Sequence, residues 1–416
     1  MHLSKAVFYV SSIAAYVAAE ATKAQTAMLY VSSYDGNIST INVAPSQGHL
    51  QLNVTSINNG CAPDPSWLLL HKGILFCGDE GFPTPNSSIL ASFNTTPSGK
   101  LQQLSNVTTL NGNVNSAIFG NGTMIALAEY GACVISVIDI QNPSALKVTQ
   151  SIKFNLTTLG PNRQQSVSRP HQVVFDPTQM FMLSPDLGGD MVRVFHADPT
   201  THHLDEQSPL KVPAGSGPRH AVFYTSKTCG FKRTYLYLVT ELSNMLYGYE
   251  VMYNGNMTLS FNKVYESGTF GFLPIPNTAF PSEILISPNN QHLLVSSRND
   301  THFGNSTNPD PKNSTAIVSD SLLTYYIDAC TGVLDLIQVY PAGGSYPRSM
   351  ELNREGNLLA VALQLSSRVV VFKRDCESGI IEEIAGSVAV DGVLTNVVWD
   401  EPAMGNSTYD RRGLLA

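Results

Sequence analysis

After an apolar N-terminal stretch, the chain consists of short runs of β-branched and aromatic residues separated by turns of Gly, Pro, Asn and Asp. Almost none of it carries the i, i+3, i+4 spacing of an amphipathic helix, so the pattern predicts an all-β protein. A polar step into an apolar run recurs as PSWLLL (65–70), PHQVVF (170–175), PRHAVF (218–223), PSEILI (281–286) and PRSMEL (347–352). After a turn, a second apolar run ends on a polar residue, as in ILFCGDE (74–80), MIALAE (124–129), YLYLVTE (235–241) and HLLVSSR (292–298). A third strand follows, such as VISVIDI, MVRVFHA or RVVVFKR, and then a more variable fourth.

Four antiparallel strands in roughly fifty residues is the pattern of a β-propeller blade. Six nearly complete units begin near residues 61, 113, 168, 218, 278 and 346. The segment AMLYVSSYDGNISTINV supplies second and third strands with no first, and VLTNVVW (393–399) supplies a first strand with nothing after it. Joining them closes a seventh blade and removes the exposed sheet edge. The expected fold is therefore an all-β, seven-bladed propeller over residues 22–402, closed by pairing of N- and C-terminal strands, with a tail at 403–416. Two stacked β-sandwiches would leave the complementary ends unexplained.

Strand direction sorts the polar residues. In an antiparallel blade the first strand starts, and the second ends, on the same face of the disc. Strand starts contribute Ser66, His171, Arg219, His220, Glu283 and Arg348 to one mouth of the central channel. Second-strand ends contribute Tyr34, Glu80, Glu129, Asp186, Glu241, Arg298 and Gln364. Three guanidiniums around one mouth suit an anionic ligand, because the guanidinium fork matches carboxylate geometry. The bland reading is an inert ion-pair network in a water-filled channel.

Charge and motifs narrow the function classes. The 416 residues carry a net charge of −8 with 24 Lys+Arg and no basic stripe, which argues against a nucleic-acid partner. Residues 1–21 read as a secretory signal peptide: Lys5, an apolar run from Ala6 to Val17 too short to span a bilayer comfortably, then small residues. No second long apolar run follows, so no transmembrane segment is expected in the mature chain. Sequons at Asn37, Asn53, Asn86, Asn94, Asn106, Asn121, Asn155, Asn256, Asn299, Asn305, Asn313 and Asn406 agree with a secreted glycoprotein, extracellular or in a cell wall. Six cysteines fit an oxidising compartment but leave the pairing open, and no C-x-x-C pair supports zinc or redox chemistry. The segment DLGGD (186–190) lacks the periodic oxygen ligands of a calcium loop and reads as a tight turn whose glycines permit positive φ. No G-x-S-x-G, Walker A or H-E-x-x-H stands in the chain.

The stretches RPHQVVFDPTQMFMLSPDLGGDMVRVF, SGPRHAVF…TYLYLVTELSNMLYGYEV, PSEILISPNNQHLLVSSRND and YPRSMELNREGNLLAVALQLSSRVVVFKRD resemble the lactonase-type seven-bladed propellers. That family includes propeller-type 6-phosphogluconolactonases and fungal 3-carboxy-cis,cis-muconate cyclases. The resemblance is clearest over residues 168–375 and suggests a secreted fungal branch. It implies catalytic roles for His171, Arg219, Glu241 and Arg298, with His220, Asp186, Glu283 and Arg348 binding substrate beside them. It also implies a small anionic lactone or muconate-like substrate, ring opening or closing by acid/base chemistry, and no metal or cofactor. The other expectation is a non-catalytic surface antigen that keeps the fold and binds cell-wall or matrix components.

Overall fold

A computed structural model describes residues 27–402, except 82–86, 227, 229, 231 and 277. The expected signal peptide, the C-terminal tail and the sequons at Asn86 and Asn406 lie outside the described residues. Seven four-stranded antiparallel sheets follow one another around an axis. In blade I the C-terminal strand Leu394–Asp400 is innermost, followed outward by Ala27–Ser33, Asn37–Ser46 and His49–Asn58. Val31 faces Val397 and Leu29 faces Trp399 across this closure, so the two chain ends share one ladder. The innermost strands of blades II to VII are Pro65–His71, Asn113–Phe119, Val174–Phe175, Pro218–Ser226, Phe280–Ile286 and Pro347–Leu352.

Burial explains the sequence pattern strand by strand. Second and third strands are covered on both faces by the adjoining blades. Met124–Glu129 is buried throughout and Arg368–Arg374 nearly so, hence their continuous apolar runs. The outermost strand Lys147–Lys153 alternates exposed and half-buried positions, which is why fourth strands look variable. Cores form between blades: Ala360, Ala362, Val369 and Val371 of blade VII pack with Leu29, Val31, Ile41 and Trp399 of blade I. Between blades V and VI the core is rich in tyrosine, and three of its buried phenols find backbone acceptors. Tyr235 and Tyr237 donate to the carbonyls of Cys330 (2.9 Å) and Gly332 (3.0 Å), and Tyr325 donates to that of Thr269.

Three features differ from the sequence reading. The strand expected at 170–175 shrinks to Val174–Phe175, with only an isolated bridge from Pro170 to Asp186 before it. Blade VI carries an insertion between its second and third strands, a ribbon of Phe303–Ser306 paired with Ile317–Ser319. It leans over blade VII, where Asp310 meets Arg368 at 3.4 Å and the Pro309 carbonyl accepts from Ser387. In DLGGD the positive φ falls on Asp190 (48°). The requirement at Gly188 is space, since a Cβ there would lie 1.8 Å from the Val167 carbonyl oxygen.

Cys61 and Cys77 form a disulfide within blade II, Cys330 is also disulfide-bonded, and Cys133 and Cys376 are free thiols. Among the described residues no helix is long and apolar enough to cross a membrane.

Candidate active site at the channel mouth

In all seven blades the ladder between the innermost strand and its neighbour slips by one residue near the same place. In blade V, Pro218 faces Thr240 and His220 faces Val239, so Arg219 is the extra residue. The same count makes Ser66 extra in blade II and Arg348 extra in blade VII. A bulge bends the strand and re-aims the unpaired side chain. Each of these three then meets residues of other blades.

Two polar clusters result. In one, Glu241 Oε2 lies 2.8 Å from Arg219 Nε and 3.1 Å from Arg298 Nη2, so a single carboxylate sits between two guanidiniums. Arg219 Nη1 also donates to the Ser282 carbonyl at 2.6 Å. In the other, Arg348 donates to the Tyr34 hydroxyl (2.6 Å) and to Ser66 Oγ (3.4 Å), while Glu80 Oε2 accepts from Tyr34 (2.5 Å) and lies 3.6 Å from Arg348.

Rings join the clusters. His171 packs edge-to-face on Tyr130 (5.4 Å between centroids) and on His220 (5.2 Å). His220 in turn meets Trp67 at 5.8 Å. Trp67 belongs to blade II and His220 to blade V, as nearly opposite as a seven-membered ring allows. Their contact spans the channel and gives the mouth a floor. At the same level Asn396, Asn115 and Gln172 accept from the backbone N–H of Leu68 (3.1 Å), Val173 (3.1 Å) and Ala221 (2.6 Å) of the next blade. Side-chain-to-backbone bonds thus lock neighbouring blades together just beneath the site.

Burial and the crowd of cations set the protonation states. His171 is held well below the ordinary histidine value by burial, then by the charges around Arg219, His220, Arg348 and Arg298. It is therefore a neutral imidazole, and its Nδ1 is buried without a hydrogen-bond partner. Burial also depresses His220, with Arg219 adding and Glu283 opposing through the 3.0 Å contact at Nδ1. For Glu241, burial works upward, but Arg298 and Arg219 outweigh it and hold the carboxyl below its usual value. Burial, reinforced by Arg298, brings Arg219 down to about 9, so it stays charged at neutral pH. Burial raises Tyr130 to about 12, leaving it a protonated phenol. The Glu241 side chain keeps 18% of its surface exposed against 3% for Arg219, so the carboxylate is open to a visitor from the mouth.

Of the eight residues implied by the resemblance, the fold brings seven together and leaves out Asp186. Its carboxylate is fully buried, bonded to Arg193 (2.9 Å), Ser168 (2.5 Å) and the Arg169 N–H (2.6 Å), so it organises blade IV. Glu129 of the polar columns is excluded likewise, bonded to Ser136 Oγ (2.7 Å) and the Leu110 N–H (2.8 Å). The cause is register. Asp186 and Glu129 face Pro170 and Asn113, as Thr240 faces Pro218, so the counterparts of Glu241 are Leu187 and Tyr130. A slip of one residue reverses the direction of a side chain. Sequence reasoning also passed over Trp67 and Tyr130, both aromatic neighbours of residues in the columns. The arginines expected to grip a substrate are each already paired with a carboxylate.

Among the described residues no three His, Cys, Asp or Glu side chains are grouped to hold a metal ion. A cavity of about 530 Å³ is lined by Leu110, Cys133, Lys153, Phe154, Leu159 and Ser168. It contains no imidazole, guanidinium or carboxylate, so the acid/base groups place the site at the mouth.

The family model described as a seven-bladed β-propeller lactonase matches residues 28–399. The chain belongs to that family. A probable 6-phosphogluconolactonase of Arthroderma benhamiae is 29% identical over 387 residues, 92% of this chain and 91% of that one. A 6-phosphogluconolactonase of Formosa agariphila is 26% identical over 276 residues, 65% of this chain and 69% of that one. Among solved structures, a putative 6-phosphogluconolactonase of Bacteroides fragilis superposes with a TM-score of 0.73 at 20% identity, covering 91% of this chain and 99% of that one. A periplasmic gluconolactonase of Pseudomonas aeruginosa gives 0.72 at 22% identity, with 90% and 99% covered. At these identities the two structures bear on the fold alone. Family and relatives support lactone hydrolysis and lend none to the ring-closing isomerase alternative.

Proposed function

We propose that the protein hydrolyses a lactone that carries an anionic group, at the channel mouth and with side chains alone. The observation that carries this reading is the Glu241 carboxylate clamped between Arg219 and Arg298, in the same cluster of charges as a neutral, buried His171. The neutral imidazole takes a proton from water as the oxygen adds to the lactone carbonyl carbon. The guanidiniums of Arg219 and Arg298 face the charge that develops on the carbonyl oxygen. Glu241 holds both at a fixed spacing and keeps two buried like charges from repelling each other. Collapse of the tetrahedral adduct breaks the ring C–O bond, and the departing alkoxide takes its proton from the imidazolium. Lactone and water give one hydroxy acid, with the imidazole restored.

We also propose that the chain acts outside the cell as a glycoprotein. The ten described sequon asparagines support this: none is buried, and those at Asn53, Asn106, Asn121, Asn155, Asn256, Asn305 and Asn313 are exposed.

The test is turnover of aldonolactones, a phosphorylated aldonolactone and 3-carboxymuconate by wild type and by His171→Asn and Arg219→Gln. Lactone hydrolysis lost in both variants, with the fold retained by circular dichroism, is the expected outcome. Lactone formation from the muconate without hydrolysis overturns the direction of reaction. No turnover by wild type, together with adhesion to cell-wall material that survives both substitutions, favours the antigen reading instead.

A further inference from the structure

The mouth is balanced in charge. Arg219 and Arg298 share Glu241, Arg348 lies against Glu80, and Glu283 contacts His220. Each of these positive charges is already offset by a carboxylate beside it, so a second anion gains less from them than it would from an unpaired cation. These three arginines are therefore poorly suited to selecting a substrate by its charged tail.

Arg169 differs. It precedes Pro170, two residues before His171. Its backbone is pinned twice: its N–H donates to Asp186 Oδ1 at 2.6 Å, and its carbonyl accepts from the Leu187 N–H at 3.0 Å. The following proline restricts its backbone further. Its guanidinium carbon lies 4.6 Å from the centroid of the Tyr130 ring, and Nε donates to the Gln164 carbonyl at 3.0 Å. Among the described residues no carboxylate lies within ion-pair distance of it. It is half-buried, and the same Tyr130 phenol feels the charges of Arg169, Glu241, Glu80 and Arg219, so Arg169 stands in the field of the mouth.

We infer that Arg169 is the residue that recognises a single anionic group, phosphate or carboxylate, at the end of the lactone remote from the carbonyl. The Tyr130 face holds the guanidinium plane, and the pinned backbone fixes its stem. The catalytic arginines keep their own carboxylates while the substrate's tail is bound. This inference rests on the lactonase reading and goes beyond it by naming the residue that selects for charge.

The experiment compares wild type and Arg169→Gln on three lactones of one ring size: 6-phosphoglucono-δ-lactone, a carboxylate-bearing aldarolactone and neutral glucono-δ-lactone. Losing one partly exposed charge-assisted contact raises KM by about tenfold for whichever anionic lactone is the substrate. The expected pattern is that rise with kcat nearly unchanged, and unaltered kinetics on the neutral lactone. A rise for the phosphate alone or the carboxylate alone identifies the group. Unchanged KM on both anionic lactones, or an equal loss on all three, overturns the inference while leaving the lactonase reading intact. Hydrolysis of none of the three by wild type overturns both.

Discussion

Glu129 offers a prediction whose size can be worked from the structure. Its carboxyl is fully buried, accepts from Ser136 Oγ and the Leu110 N–H, and has no cation at ion-pair distance among the described residues. Burial, only partly offset by those two bonds, raises it from 4.5 to about 7. The unfolded chain therefore gives up this proton at lower pH than the folded one, and stability falls as pH rises across that window. Each pH unit of displacement is worth about 1.4 kcal/mol, so the full contribution is about 3 kcal/mol. Glu129→Gln removes it. The amide oxygen can accept from Leu110, and the NH2 group can donate to Ser136 Oγ, whose own proton turns to Ser151 Oγ at 3.2 Å. Urea unfolding of both proteins at about pH 5 and about pH 8 isolates the effect, because the other titrating groups cancel in the comparison. Relative to wild type, the variant should gain about 2–3 kcal/mol between the two pH values. A difference independent of pH would refute the assignment of Glu129 as a buried acid.

Two further outcomes follow from the same physics. Because burial and neighbouring arginines hold His171 far below its ordinary value, its base form persists through mildly acidic pH. The pH profile of kcat/KM should therefore show no inflection near the histidine value of about 6.5, and a loss of activity centred there would contradict the role given to His171. The Cys61–Cys77 disulfide closes a loop with a sequence separation of 16 in the core of blade II, so replacing both cysteines by Ala should lower stability by about 3 kcal/mol. Calorimetry showing an unchanged melting temperature would count against that estimate.

Much of the fold can be read in the chain because a propeller repeats one local pattern. The Pro-led inner strand, the buried second and third strands and the exposed fourth differ in how many faces water touches, and hydrophobic spacing records that directly. The complementary ends at AMLYVSS and VLTNVVW demanded a shared blade, and Ala27–Ser33 does pair with Leu394–Asp400. The gathering of His171, Arg219, Glu241, Arg298 and Arg348 at one mouth was legible because strand direction assigns each strand end to a face. The ribbon in blade VI was invisible, since Phe303–Ser306 and Ile317–Ser319 are too short and too polar to carry a period.

What the sequence determined by itself was therefore periodic: four strands to a blade, blade number, ring closure and the face on which polar residues gather. The tertiary structure decided what depends on a shift of one residue or on contact between distant blades. The register of the inner ladder, in which Asn113 faces Glu129 and Pro170 faces Asp186, chooses Tyr130 over Glu129 and Leu187 over Asp186. Curvature of the ring brings Arg219, Glu241 and Arg298 onto one carboxylate, and Trp67 onto His220. Hydrophobic patterning specifies which side of a strand is buried. Register and long-range closure specify which neighbour it meets there, and local sequence does not encode that partner.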